Sequence, residues 1–139
     1  MAKTRARAKG RKDTSRFLGL PYPLLDSPDF RLLSPVAIKL LIFLAYHFSG
    51  SNNGDLSAPF SRVKAWGIKS EATLCKALKE LMARRIITRT RDPTRDRQNP
   101  HGQCALYALN WYPIHECKGK LDVMPTLHPI RVFSIDKGG

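Results

Sequence analysis

The stretch LSAPFSRVKAWGIKSEATLCKALKELMARRII, residues 56–87, reads as two helices joined by a tight turn and followed by the start of a strand. Residues 59–66 suit a short helix. Gly67 ends it, because a residue without a side chain accepts the left-handed backbone of a helix terminus. Ser70 is placed to cap the next helix, over residues 71–84, with its hydroxyl. In that helix Leu74, Ala77, Leu78, Leu81 and Met82 recur at steps of three and four and so share one face. Lys69, Thr73, Lys76, Lys79 and Glu80 fall mostly on the other. Residues 86–91, IITRTR, alternate β-branched and basic side chains as a half-buried strand does.

Upstream, Ser34-Pro35 marks another helix start: serine caps free backbone donors, and proline fits the first helical position. Residues 36–48 are apolar nearly all round, which suits a helix buried at the centre of a small fold. SGSNNGD, residues 49–55, stops it with turn formers, and residues 56–58 suit a short strand. Residues 17–33, with Pro21, Pro23 and Pro28, read as a connector packed extended along the domain. Downstream, residues 92–103 form a polar hairpin loop and residues 104–110, CALYALN, a second strand. The expected organisation is a basic arm over residues 1–16, one domain over residues 17–112 and an irregular tail over residues 113–139.

The charge balance narrows the partners. The chain has 139 residues and 24 Lys and Arg against 11 Asp and Glu, a net charge of +13. Such an excess repels itself unless an anion neutralises it, and nucleic acid is the commonest such polyanion. The arm alone holds seven basic residues, Lys3, Arg5, Arg7, Lys9, Arg11, Lys12 and Arg16, against Asp13. With no apolar periodicity it reads as a disordered basic arm. No apolar segment is long enough to span a bilayer, and no membrane partner is expected. Cys75, Cys104 and Cys117 lack paired spacing, which fits free thiols in a reducing compartment. The expected location is the cytoplasm, in association with the bacterial nucleoid.

The order helix, short strand, helix, turn, helix, strand, loop, strand is α+β. Residues 56–109 resemble the winged helix-turn-helix superfamily of bacterial regulators and replication proteins, whose plan is three helices and a small β-hairpin wing. Gly67, Ser70, Thr73, Leu74, Leu78, Leu81 and Ile86 occupy the positions that carry this likeness. More narrowly, NNGDLSA (residues 52–58), TRTR (residues 88–91) and ALYALNWYPIHECKGKLD (residues 105–122) are similar to small winged-helix proteins of bacterial plasmids and phages. The loop over residues 92–103 is longer than a minimal wing, and the basic arm lies outside the superfamily pattern.

The resemblance implies that the helix after Gly67 enters the major groove of double-stranded DNA. A groove roughly 12 Å wide admits a helix, whose N-terminus brings free N–H groups toward phosphate. Lys69, Ser70, Glu71, Thr73 and Lys76 are then the candidate readers. Threonine serves equally as a base contact or as packing in the corner between helices. Arg62 and Lys64 are placed to touch backbone. Arg89, Arg91, Arg95 and Arg97, with His101, gather on the wing, and Asp92 and Asp96 can pair with some of them. Arg5, Arg7, Lys9, Arg11 and Lys12 supply a flexible phosphate-tracking arm, as homeodomain arms do.

His101, Cys104, His115 and Cys117 lack metal-ligand spacing, so no metal is expected. No catalytic motif or cofactor motif appears, and a non-enzymatic role is expected. Asp26 and Asp29 flank a proline and read as turn residues; Trp66, Trp111 and Tyr107 read as packing residues. The expected function is that of a transcriptional regulator or a replication or partition accessory factor of a mobile element, with a homodimer on two half-sites as one arrangement. The alternatives are a structural DNA- or RNA-binding protein without sequence choice, and a winged-helix protein-interaction module.

Overall fold

The computed structural model describes residues 16–94 and 102–133. Those residues hold five α-helices and one two-stranded antiparallel sheet, a mixed α+β architecture. The helices are α1 (Tyr22–Asp26), α2 (Pro28–Arg31), α3 (Pro35–Tyr46), α4 (Phe60–Val63) and α5 (Glu71–Ala83), and the strands are β1 (Ile87–Arg91) and β2 (Leu106–Leu109). The basic arm, apart from Arg16, and the loop positions Arg95, Arg97 and His101 lie outside the described residues.

Helix α3 is the centre of the fold. Ser34 caps it, its Oγ accepting from the Ala37 N–H at 3.2 Å, and Pro35 occupies the first turn. Ala37, Leu40, Leu41, Phe43, Leu44 and Ala45 are all buried, so burial removes apolar surface around most of the helix. Helix α3 packs against α5, which contributes Leu74, Ala77, Leu78 and Leu81 to the same core.

Residues 17–33 were expected to be extended, and here the structure corrects the sequence. They contain α1 and α2, and Leu24 is fully buried. Pro23 and Pro28 fall in the first turns of these helices, where a backbone N–H has no intrahelical partner to lose. The prolines therefore start helices. Ser27 adds a side-chain cap to α2, accepting from the Phe30 N–H at 3.2 Å.

The strand expected at residues 56–58 is reduced to one bridge, Leu56 with Tyr107, on the free edge of β2. Asn53 continues that edge with its side chain. Its Oδ1 accepts from the Leu109 N–H at 2.7 Å, and its Nδ2 donates to the Leu109 carbonyl at 2.9 Å. The same amide group reaches the carbonyls of Tyr112 and Pro113. Asn53 is completely buried, and its side chain stands in for a strand neighbour. Burial in β2 accordingly extends to all four residues, whereas in β1 only Ile87 and Thr90 are buried, and the alternation expected of this strand is broken near the register shift between Arg89 and Arg91.

The described part of the tail, residues 113–133, is irregular except for one 3-10 turn, Cys117–Gly119, yet it is tied down along its length. The Asp122 N–H donates to the Thr90 carbonyl, that of Thr126 to Ile114, and that of Arg131 to Asn110. Among the described residues no helix is long and apolar enough to cross a membrane.

Candidate nucleic-acid interface

Helix α4 runs into a 3-10 turn, Lys64–Trp66, and stops at Gly67, whose φ of +96° is the left-handed conformation expected there. The short link from Gly67 to Ser70 then delivers the chain to α5. Ser70 accepts from the Thr73 N–H at 3.1 Å and donates its own hydroxyl proton to Thr73 Oγ1 at 2.9 Å. The Thr73 oxygen is thus engaged in the cap, and the residue is half-buried.

With Leu74, Ala77, Leu78 and Leu81 turned inward, the outward stripe of α5 is Glu71, Ala72, Cys75, Lys76, Lys79 and Ala83, all exposed. Lys69 and Ser70 are exposed at its start. Arg62 and Lys64 are exposed on α4 and the following turn, with the Lys64 ammonium 5.9 Å from the centre of the Phe60 ring. Lys39 of α3 joins this group: its Nζ lies 3.1 Å from the point where a Cβ on Gly67 would sit. Among the described residues Arg62, Lys64, Lys69, Lys76 and Lys79 form no ion pair. No carboxylate of the described residues therefore pairs with these five cations around the two-helix unit.

Two contacts set the position of α5, and neither was expected. Glu80 was placed on the outward face, but its carboxylate turns to the start of α3. Oε2 accepts from the Ser34 N–H at 2.6 Å and Oε1 from the Ser34 hydroxyl at 2.8 Å. An anion at a helix N-terminus meets unpaired donors and the positive end of the helix dipole. The contact fixes the roll of α5 on α3, beside a cleft of about 230 Å3 lined by Ser34, Val36, Thr73, Lys76, Ala77 and Glu80.

The second contact closes the other end of the helix. Arg131 Nη1 donates to the Arg84 and Arg85 carbonyls at 3.0 and 3.3 Å, satisfying acceptors that the end of α5 leaves over. Its Nη2 donates to Asp29 Oδ2 at 2.8 Å, and Arg84 approaches the same carboxylate at 3.6 Å. Asp29, which reads in the sequence as a turn residue, is the meeting point of α2, α5 and the tail. The Arg131 hydrogen bond holds its carboxyl below the usual range, with burial opposing and the charges of Arg131 and Arg84 assisting.

The hairpin arginines are less free than their sequence suggests. Arg89 lies over the Tyr107 ring at 5.6 Å, donates to the Tyr107 hydroxyl at 3.1 Å and approaches Asp92 at 3.8 Å. Arg91 donates to the Cys104 carbonyl at 2.9 Å. Both guanidinium groups are held on the hairpin's own atoms. Trp66 packs edge-on against Phe43 and Tyr46, and Trp111 and Tyr107 are buried.

Arg5, Arg7, Lys9, Arg11, Lys12, Arg95 and Arg97 lie outside the described residues. Of the remaining candidates, the structure brings Arg62, Lys64, Lys69, Ser70, Glu71, Thr73 and Lys76 onto α4, the turn and α5, and it sets Arg89 and Arg91 apart on β1. Lys79 and Lys39 complete the cationic set. The helical period already placed Lys79 outward, whereas Lys39 had no signal beyond being a charge in an apolar run. Among the described residues no group of three His, Cys, Asp or Glu is placed to hold a metal ion. No family model matches the chain, and no curated protein or solved structure is detectably similar to it.

Proposed function

We propose that the chain is a winged helix-turn-helix protein that binds double-stranded DNA, with α5 in the major groove. The single observation that supports this most is the outward stripe of α5. It follows a tight turn, opens on a capped helix N-terminus, and carries Lys76 and Lys79 among small side chains with no ion pair among the described residues. Lysines of this kind suit guanine edges and phosphates, and Glu71 can accept from cytosine. Arg62 and Lys64 reach the backbone beside the groove, and the N-terminal arm with Arg95 and Arg97 of the hairpin loop adds phosphate contacts, while Arg89 and Arg91 are held within the hairpin. In this proposal the protein serves a bacterial mobile element as a transcriptional regulator or a replication or partition factor, without catalysis.

One observation favours a second form of the same activity. The Thr73 oxygen already accepts from the Ser70 cap, which turns this side chain toward the cap and leaves long, flexible lysines as the most extended polar groups of the reading face. Such side chains also suit phosphate recognition without sequence choice, on DNA or RNA.

Selection of bound DNA from a random pool, with and without residues 1–16, separates the two. An enriched motif that survives removal of the arm supports the reader helix; an unenriched pool supports packaging. In either form, neutralising six to ten phosphates makes affinity fall about 10³- to 10⁵-fold between 50 and 200 mM salt. Lys76→Glu is expected to weaken binding more than Lys118→Glu in the tail. A salt-independent affinity, or equal losses in the two variants, sinks the proposal.

A further inference from the structure

The tail meets α2 on a face whose chemistry is opposite to that of α5. In residues 123–132 five large apolar side chains point to solvent: Val123, Met124, Leu127, Ile130 and Val132. Met124 is 80%, Leu127 89% and Val132 75% exposed. The Asp29–Arg131 contact brings this segment against α2, where Leu32, one turn from Asp29, is also exposed. Scattered exposed apolar residues need no explanation, but a cluster of this density marks an interaction site.

The charges around the cluster say what covers it. Residues 123–133 contain no Lys, Arg, Asp or Glu except Arg131, which is spent on Asp29 and on the Arg84 and Arg85 carbonyls. Arg84 shares the Asp29 carboxylate, and Arg31, beside Leu32, is paired with Asp26 at 3.0 Å. Three arginines here meet two aspartates, so this face carries about one net positive charge on a chain whose net charge is +13. An acidic partner or a nucleic acid gains little electrostatically by binding here and would choose the lysines of α4 and α5. A second copy of the chain is itself strongly cationic, so it can approach closely only where both surfaces lack unpaired positive charge.

We propose that the face formed by Leu32 and residues 123–132 is the contact surface of a homodimer. A two-fold contact buries the same patch on both partners. It also leaves the α5 stripe of each protomer open, since the patch lies on the tail and α2. Stable interfaces of this kind cover about 800 Å2 per partner, and the exposed side chains of the tail with Leu32 supply the apolar centre of such an area. The Arg131 cap on α5 then couples the dimer surface to the end of the helix proposed to read DNA. The dimer itself does not depend on DNA binding.

Sedimentation equilibrium on the full chain is the test. The expected species has about twice the 15.7 kDa monomer mass. Leu127→Asp with Val132→Asp should raise the dimer dissociation constant at least about a hundredfold. The far-ultraviolet dichroism should be unchanged, because both side chains are exposed. Should that variant unfold, hydrogen exchange of the unaltered protein at low and high concentration decides: residues 123–132 must gain protection as concentration rises.

The dimer should tighten with salt, because screening relieves repulsion between two cations; DNA binding should weaken under the same change. A wild-type chain that stays monomeric up to about 100 µM in high salt overturns the proposal. So does a dimer that persists in a folded Asp variant, or one whose protected segment lies elsewhere. Each of these results leaves the DNA-binding proposal untouched, and loss of DNA binding leaves the dimer test untouched.

Discussion

Asn53 and Asp29 do the same job in opposite ways. Each is a short polar side chain that joins distant segments, and each anchors part of the tail. Asn53 is neutral and fully buried, and its amide serves Leu109, Tyr112 and Pro113. Its backbone adds His115: the Asn53 N–H donates to His115 Nδ1, and the His115 N–H returns a bond to the Asn53 carbonyl. Because a backbone N–H can only donate, Nδ1 is the acceptor and the ring proton sits on Nε2. Asp29 is charged and about a quarter exposed, and it holds two arginines from α5 and the tail.

The contrast teaches where each kind of anchor is strong. A buried neutral network costs a great deal to break, because removing one member strands the others without water. An ion pair open to solvent competes with water throughout and is screened by salt. The hairpin at the base of the fold has the first kind of anchor, and the apolar face beside α2 has the second.

The largest expected effect breaks the stronger anchor. Asn53→Ala leaves the buried Leu109 N–H unpaired and takes the amide from the Tyr112 and Pro113 carbonyls, while the Leu109 carbonyl keeps the Tyr112 N–H; the cost should be about 3 kcal/mol in unfolding free energy. Urea denaturation should show this loss undiminished in high salt, since no charge is involved. A loss below about 1 kcal/mol would mean that water enters and replaces the amide, contrary to its complete burial.

Glu80 lies between the extremes, a charged acceptor on neutral donors. Glu80→Ala should cost about 1–2 kcal/mol, through the unpaired Ser34 N–H and the lost charge at the start of α3. Glu80→Gln should recover part of it, because an amide oxygen still accepts. Equal losses in the two variants would show that the charge, and not the hydrogen bonds, holds α5 to α3.

Legibility followed sequence distance. Helices α3 and α5 were readable because serine caps, a proline and a three-to-four period all lie within the helices they describe. The outward position of Lys76 came with the same period. The roles of Glu80 and Asp29 were hidden because their partners are 46 and 102 residues away, and nothing in a local window points there. The connector was misread for a different reason: proline excludes a helix interior but favours a first turn, and the sequence alone did not say which applied to Pro23 and Pro28. In the candidate interface, exposure was legible and engagement was not. Arg89 and Arg91 are as basic as Lys76, but their guanidinium groups are held by Tyr107 and by the Cys104 carbonyl.

The smallest effect tests the weaker anchor and carries a pH signature. The Arg131 hydrogen bond lowers the folded-state pKa of Asp29, with burial opposing. The charged form is therefore favoured in the folded chain, and its contribution is complete above the ordinary carboxylate value, near 3.9. It fades as pH falls through that value toward the lowered one, because the folded state must then take up a proton it binds poorly. Asp29→Asn should thus cost about 1 kcal/mol at neutral pH, in keeping with partly exposed pairs. The gap from the unaltered chain should narrow below about pH 4 and shrink in high salt. Measured beside Asn53→Ala, whose deficit should hold across the salt series, the two losses separate a charged anchor from a neutral one. An Asp29→Asn deficit indifferent to both acid and salt would show that Asp29 acts by packing, and the comparison would collapse into two anchors of one kind.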